Sequence, residues 1–317
     1  MNQPLVSVLM PCHNCAPHVR EAIASVLAQS YPHFELLICD DGSTDGSVEI
    51  INTIDDSRIR IFRHDSNWGY PHTMNHLFQV AQGEYVMMQD ADDISHPRRI
   101  AKLLGAIASP PMADAVGSDL VKFYPDGTRE SVSAEGSPEK LKGSFQQCER
   151  PGLTFGTLLM RRELCETSFR ELSFVTRAQD IDWLFRISER YSFKNLNEEL
   201  YRYRQHATSM SNSNDTESMH NMFFWPYICF ITQYRREKNT DILQPEHRTI
   251  LRDYLQQLIA ERRTKDAVFW ERHLAYRARK NGDVGGSLRY ALRAIRHQPF
   301  RYGSYHCLIK VLVGKNL

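Results

Sequence analysis

The sequence predicts an α/β fold: a Rossmann-like, mostly parallel sheet covered by helices, continued by a helical C-terminal region. Three observations lead to the layered sheet and its helical extension. Over residues 5–125, short apolar runs alternate with stretches of helical periodicity, the pattern of strand–helix–strand units. Unusual polar residues fall where those strands end, which is where open parallel sheets bind ligands. From about residue 215 onward the periodicity is helical only.

The elements follow in order. "LVSVLM" opens the sheet and stops at Pro11. "PHVREAIASVLAQSY" places Val19, Ile23, Val26 and Leu27 at helical spacing. "FELLICD" is a second strand that ends in acid, and "STDGSVEIINTI" starts with Ser/Thr/Asp cap chemistry before continuing helically. "RIRIF" is a third strand, "YPHTMNHLFQVAQ" a helix stopped by Gly83, and "EYVMMQ" a fourth strand. "HPRRIAKLLGAIA" is a helix with Pro97 near its start. "DAVGSDLVKFY" is strand-like, and "YPDGTRE" is a hairpin turn at Asp126-Gly127. "GLTFGTLLMRREL" runs from strand into helix. "AQDIDWLFRISERY" sets Ile181, Leu184, Phe185 and Ile187 on one helical face, and "LYRYRQHATSMS" leaves a strand for a polar loop. Residues 266–299 read as two amphipathic helices about a Gly-containing turn, the length of one tetratricopeptide-type repeat. A solenoid needs about three repeats, so these helices form an appendage. The expected division is an α/β domain over residues 1–210 and a basic helical region over 211–317.

Composition narrows the class. A chain of 317 residues with 42% hydrophobic content is globular and holds one large domain, or one domain with an appendage. No apolar run reaches the roughly 18 to 20 residues of a membrane span. "MNQPLVSVLMPCHN" has no basic n-region ahead of its apolar part, so no secretion signal is expected. Seven scattered cysteines suit reduced thiols and a cytoplasmic location. "CHNC", Cys12 to Cys15, lacks the second ligand pair of a structural zinc site. The net charge of +1 hides an asymmetry: residues 1–240 hold 24 Lys+Arg and 31 Asp+Glu, residues 241–317 hold 15 and 7. Such a basic tail suits packing on the acidic body, docking of a partner, or peripheral contact with an anionic inner membrane face. No nucleic-acid partner is expected.

The strand ends carry the chemistry. In "YVMMQDADDISHP", Asp90, Asp92 and Asp93 crowd a short turn after an apolar strand. Like charges that close raise one another's pKa unless a cation or solvent neutralises them, and Mg²⁺ is commonly held by one or two carboxylates plus waters and phosphates. A helix-capping acidic turn is the other reading. In "ICDDGSTDGS", Asp40 and Asp41 end a strand and precede small, hydroxyl-bearing residues. A carboxylate there can accept the N3–H of a uracil ring, although Ser43, Thr44 and Asp45 also fit a turn and helix cap. Neither G-x-x-x-x-G-K-[ST] nor G-x-G-x-x-G is present, which leaves P-loop and dinucleotide readings unsupported.

"VSVLMPCHN", "SVLAQSYPHFELLICDDGSTDGS", "NWGYPHTMNHLFQVAQGEYVMMQDADD" and "HPRRI", in this order, resemble the family 2 glycosyltransferases of GT-A fold. The resemblance covers residues 5–110 closely and fades toward 210. It implies a nucleotide-diphosphosugar donor, most often UDP-linked, and a divalent metal, Mn²⁺ or Mg²⁺, between the diphosphate and a D-x-D motif. By position, Asp41 would hold the base, Pro11, Asn14, Gly69 and Asn75 would line the nucleotide pocket, and Asp90 would sit near the ribose. Asp92 and Asp93 would bind the metal, with His206 of "YRYRQHATSMS" completing its shell. Asp180 of "AQDIDWLFR" would be the general base, with Gln179 where the family often has Glu and with Asp182 as the competitor. Arg202 or Arg204 would offset phosphate charge. Trp68 and Tyr70 either stack on a sugar or pack, and "GLTFGT" lies where the family shapes its acceptor pocket.

The implied reaction is inverting transfer of a hexosyl unit from a UDP-sugar to a hydroxyl of a glycan or lipid-linked glycan, in cell-surface polysaccharide or glycan synthesis. Two alternatives stand beside it. An inactive nucleotide-sugar-binding partner would bind donors without releasing UDP. A sugar nucleotidyltransferase would carry a Gly-rich, basic loop after its first strand, where this chain has "PCHNCAPH".

Overall fold

A computed structural model describes residues 3–134, 136–176, 178–206, 219–280, 283–299 and 302–313. The chain divides into two units, Met1–Glu171 with Gln179–Gln205, and Leu172–Ala178 with His206–Leu317.

The first unit is built on β1 (Val6–Cys12), β2 (Phe34–Asp41), β3 (Ile59–His64), β4 (Tyr85–Met88), β5 (Ile94–Ser95), β6 (Ala115–Phe123), β7 (Arg129–Val132), β8 (Leu159–Arg161) and β9 (Phe193–Arg204). These strands form one sheet in the order β3-β2-β1-β4-β8-β6-β9-β5, with β7 hairpinned onto β6. The β3-β2-β1-β4 half is parallel throughout, and β6 and β9 add a long parallel ladder. The remaining pairings are short and antiparallel. Helices α1 (Val19–Leu27), α2 (Ser47–Asn52), α3 (Tyr70–Val80), α4 (Arg99–Ile107), α5 (Pro138–Gln146) and α6 (Gln179–Ile187) complete the unit.

Continuous apolar runs form β1 and β2 because both faces are covered, and every residue of β2 is buried. Val6, Val8 and Met10 of β1 join Leu36 and Ile38 of β2 in one cluster with Val19, Ile23 and Val26 of α1 and Ile100, Leu103 and Ile107 of α4. Leu9 and Leu37, one residue out of phase, are equally buried but lie outside that cluster. The Asp126-Gly127 turn closes the β6–β7 hairpin, with Gly127 at φ 86°. Two elements go beyond the sequence reading: the two-residue β5 just past the acidic turn, and α5, whose polar stretch is capped by Ser137. The buried face of α6 also differs from expectation, since Asp182 and Trp183 are buried with Leu184, Phe185 and Ile187.

The second unit contains α7 (Phe224–Lys238), α8 (Arg248–Lys265), α9 (Phe269–Lys280), α10 (Val284–His297) and α11 (Tyr302–Val313). Asp283 caps α10 by accepting from the Gly286 N–H at 2.7 Å. Ala275, Ala291 and Val311 knit the last three helices together, and the Ser287 hydroxyl donates to the Ala275 carbonyl at 2.6 Å. Among the described residues, no helix is long and apolar enough to cross a membrane.

Candidate active site

The acidic turn after β4 is held from behind by β9 and α4. The Tyr201 hydroxyl accepts from the Asp90 N–H at 3.1 Å and lies 3.4 Å from Asp90 Oδ2. Arg204 spans the turn: its N–H donates to Asp93 Oδ1 at 2.7 Å and its Nε to the Asp92 carbonyl at 2.8 Å. Beneath lies Arg99, fully buried, which donates to the Ser95 hydroxyl and to the carbonyls of Met88 and Gly156, with its guanidinium over the Tyr201 ring. Burial draws the Arg99 pKa down to about 10, against the opposing pull of Tyr201, Asp90 and Asp93. Gly156 of the "GLTFGT" segment is required by this packing: a Cβ there would stand 3.0 Å from Asp90 Oδ2 and 3.3 Å from the Tyr201 hydroxyl.

Within the turn the three carboxyls differ. Asp93 is fully buried, its Oδ1 taken by Arg204 and its Oδ2 without a hydrogen-bond partner. Burial, then Asp90 and Asp92, push its pKa well above the usual carboxylate range. Asp90 and Asp92 are half-buried. Burial, then the charges of Asp92 and Asp180, lift Asp90 to about 7.

That last effect joins the two halves of the chain. Asp180, in the first turn of α6, bears on Asp90, and both bear on the Tyr70 hydroxyl at the start of α3. Burial raises Asp180 itself, against the pull of the Ile181 N–H. Asp182 is spoken for: Arg170 grips both its oxygens at 2.8 and 2.6 Å, and Arg186 adds a contact at 2.9 Å. Burial alone would raise Asp182, but the two guanidiniums hold it below the ordinary value. An aromatic floor fixes α6 here. Trp183 stacks on Phe169 at 5.5 Å and 2°, Phe155 and Phe78 pack on both rings, and Tyr70 meets Phe169 edge-on.

The β2 end forms a second edge. Asp41 Oδ1 accepts from His64 Nδ1 at 2.8 Å and the Trp68 N–H at 2.9 Å, and Oδ2 from the Gly69 N–H at 2.9 Å. Burial opposes its charge, yet these donors hold its pKa below normal. Asp40 is buried with Oδ1 unpartnered. Asn14, at φ 53°, accepts from the Thr44 N–H through Oδ1, and its N–H donates to Ser43. Pro11 lies in β1 opposite Cys39. Gly69 sits at φ 89° in the turn before α3.

The Asn75 carboxamide donates to the Phe169 carbonyl at 2.9 Å and accepts from the Phe169 N–H at 2.7 Å. It also lines a cleft with Phe78, Gln79, Arg161 and Cys165. His206 follows the end of β9 and belongs to the second unit. Ser209 and Ser211 of the "YRYRQHATSMS" segment lie outside the described residues.

Comparison with known proteins then decides the family. Residues 7–169 match the family described as Glycosyl transferase family 2. The chain belongs to glycosyltransferase family 2. It is 32% identical over 235 residues to "Putative glycosyltransferase EpsE" of Bacillus subtilis (strain 168), covering 71% of this chain and 82% of that protein. It is 26% identical over 211 residues to the UDP-Glc:alpha-D-GlcNAc-diphosphoundecaprenol beta-1,3-glucosyltransferase WfaP of Escherichia coli, covering 65% and 80%. The crystal structure of S. aureus TarS 1-349 in complex with UDP superposes with a TM-score of 0.56 at 16% identity, covering 98% of this chain and 88% of that one. The fold of this glycosyltransferase is therefore GT-A, as the sequence predicts.

Several residues that support the acidic turn escape sequence reasoning. Arg99, Gln89, Ser95 and Tyr201 hold it in place. "HPRRI" carried a signal for Arg99, since it stands four residues before Leu103 and so on the same face of α4. Tyr201 lies 111 residues beyond Asp90, from whose N–H it accepts, and no local pattern joins the two.

Proposed function

We propose that this glycosyltransferase moves a hexosyl unit from a UDP-sugar to a hydroxyl of a glycan or lipid-linked glycan, with inversion, in cell-surface polysaccharide or glycan synthesis. One observation carries the reading: Asp182 is consumed by Arg170 and Arg186, which leaves Asp180, raised by burial, as the carboxyl of α6 suited to act as a base.

The residues fit a hard divalent cation. Crowded oxygen donors, a carboxyl lifted to about 7 and an orphaned Asp93 oxygen describe a site short of positive charge. Asp92, with Asp93 through its unpartnered Oδ2, would hold Mn²⁺ or Mg²⁺, and His206 is the further ligand in this proposal. Asp93 Oδ1 meanwhile fixes the turn through the Arg204 N–H. Bound there, the cation would offset charge on the departing diphosphate.

Asp41, Pro11, Asn14 and Gly69 form the edge assigned to the nucleotide base and ribose, and Asp90 also serves the ribose. His64, Trp68 and Gly69 donate to Asp41, so its carboxylate is held in a fixed orientation. Asp180 takes the proton of the acceptor hydroxyl as that oxygen attacks the anomeric carbon, and its raised pKa suits a base working near neutral pH. The names of relatives such as WfaP, which acts on a diphosphoundecaprenol-linked sugar, support a lipid-linked acceptor. Peripheral contact of the basic helical unit with the cytoplasmic membrane face belongs to the same proposal.

The test is a thermal-shift screen of nucleotide sugars with and without Mn²⁺, followed by UDP release. A donor at 100 times its dissociation constant adds about 2.7 kcal/mol of stability. Metal-dependent stabilisation by a UDP-sugar, lost in Asp92→Ala, is the expected result. Donor binding with no UDP release under any acceptor would favour the inactive partner instead.

A further inference from the structure

Among the described residues, the converging set of metal-type ligands is Cys39, His64 and His76, whose ligand atoms all lie within 4.8 Å of one another. They come from β2, the end of β3 and the middle of α3. Cys39 Sγ is 3.6 Å from His64 Nε2 and 3.8 Å from His76 Nδ1, and the two nitrogens are 3.0 Å apart. A tetrahedral Zn²⁺ with bonds of about 2.3 Å to sulfur and about 2.05 Å to nitrogen has S···N edges of about 3.6 Å and an N···N edge of about 3.3 Å. The three side chains thus already stand near the corners of such a cage.

The surroundings are built to match. His64 Nδ1 faces the Asp41 carboxylate at 2.8 Å. An ionised carboxylate only accepts, so Nδ1 carries the proton and the Nε2 lone pair is turned toward Cys39 and His76. A carboxylate behind a histidine is the usual support of a metal-bound imidazole. Trp68 stacks on His64 at 4.0 Å, and Phe62 meets His76 edge-on at 5.2 Å, which restrains both rings.

We propose that Cys39, His64 and His76 bind one thiophilic divalent cation of the Zn²⁺ class, distinct from the hard cation of the acidic turn, with a fourth position left to solvent. Binding displaces the Cys39 thiol proton to solvent and forms one Zn–S and two Zn–N bonds. The cation ties β2, β3 and α3 together directly behind Asp41. Soft thiolate and imidazole donors select zinc over the magnesium or manganese that oxygen donors favour.

Co²⁺ titration of the full-length protein, stripped with chelator, tests this. One equivalent should give a near-ultraviolet sulfur-to-cobalt charge-transfer band and intense tetrahedral visible bands, and Zn²⁺ should displace it. Cys39→Ser should abolish the charge-transfer band. His76→Gln should weaken Zn²⁺ binding at least about tenfold. Zn²⁺ should raise the Tm of the wild type without any nucleotide sugar. Weak bands without charge transfer, a charge-transfer band that survives Cys39→Ser, or one that requires Cys15 would each overturn the proposal. Should Cys39→Ser fail to fold by circular dichroism, unchanged Zn²⁺ affinity in His76→Gln overturns it instead.

Discussion

Two carboxylates two residues apart on α6 have opposite duties. Asp180 is raised by burial and bears on Asp90, while Asp182 is locked between Arg170 and Arg186. Asp180→Asn is expected to fold normally and lose transfer by roughly 10² to 10⁴-fold, measured as UDP release with acceptor. Asp182→Ala removes the buried carboxylate that two half-buried guanidiniums share and should cost about 3 kcal/mol in denaturant unfolding. Asp90 gives a pH signature. Its folded pKa, about 7, lies above the ordinary 3.8, so the folded state holds the proton more tightly than the unfolded chain does. Its ionisation therefore costs stability as pH rises through about 7, and the penalty is absent below the unfolded value. Metal-free protein should melt lower at pH 8 than at pH 6 by this contribution, Asp90→Asn should remove that part of the slope, and Mn²⁺ should restore stability at pH 8. Such a distinction between Asp180 and Asp182 was legible as a preference from helical spacing. The guanidinium partners were not, because Arg170 lies 12 residues upstream in an irregular segment.

At the level of elements, the turns are shaped by what packs beneath them. Gly42, between Asp41 and Ser43, has φ 68°, and a Cβ there would meet the backbone of Ser66 and Asn67 at 2.5 to 2.8 Å. That contact brings the β2 end against the loop whose N–H groups fill Asp41. Gly42→Ala should destabilise by about 2 kcal/mol or more and loosen nucleotide-sugar binding, seen as a smaller ligand-induced Tm shift. Strand–helix alternation made β1 to β4 and α1 to α4 legible, because each buries a regular periodic face. By contrast, β5 owes its existence to β9, and α5 to a Ser137 cap inside a polar stretch. Neither has a hydrophobic period long enough to read.

At the level of the whole molecule, charge and apolar exposure are unevenly shared. Leu292, Tyr302, Ile309 and Leu312 are exposed on α10 and α11, whose sequences also carry Arg289, Arg293, Arg296 and Lys310. If the second unit meets an anionic membrane, the full-length protein should cosediment with anionic vesicles at low ionic strength and be released by salt, and neutral vesicles should not retain it. No sedimentation with either vesicle would remove membrane contact from the proposed function.

The sequence alone determined the layered α/β architecture, the family and the order of acidic strand ends, because these depend on local periodicity and on motifs contiguous in the chain. Tertiary structure decided which carboxylates stand together. Asp180 is presented by α6, which the Phe169–Trp183 stack holds in place, and Asp93 is buried where the backbone N–H of Arg204 in β9 meets the turn. Cys39, His64 and His76 became one cluster only when β2, β3 and α3 packed, since side chains 12 to 37 residues apart leave no mark on the sequence that connects them.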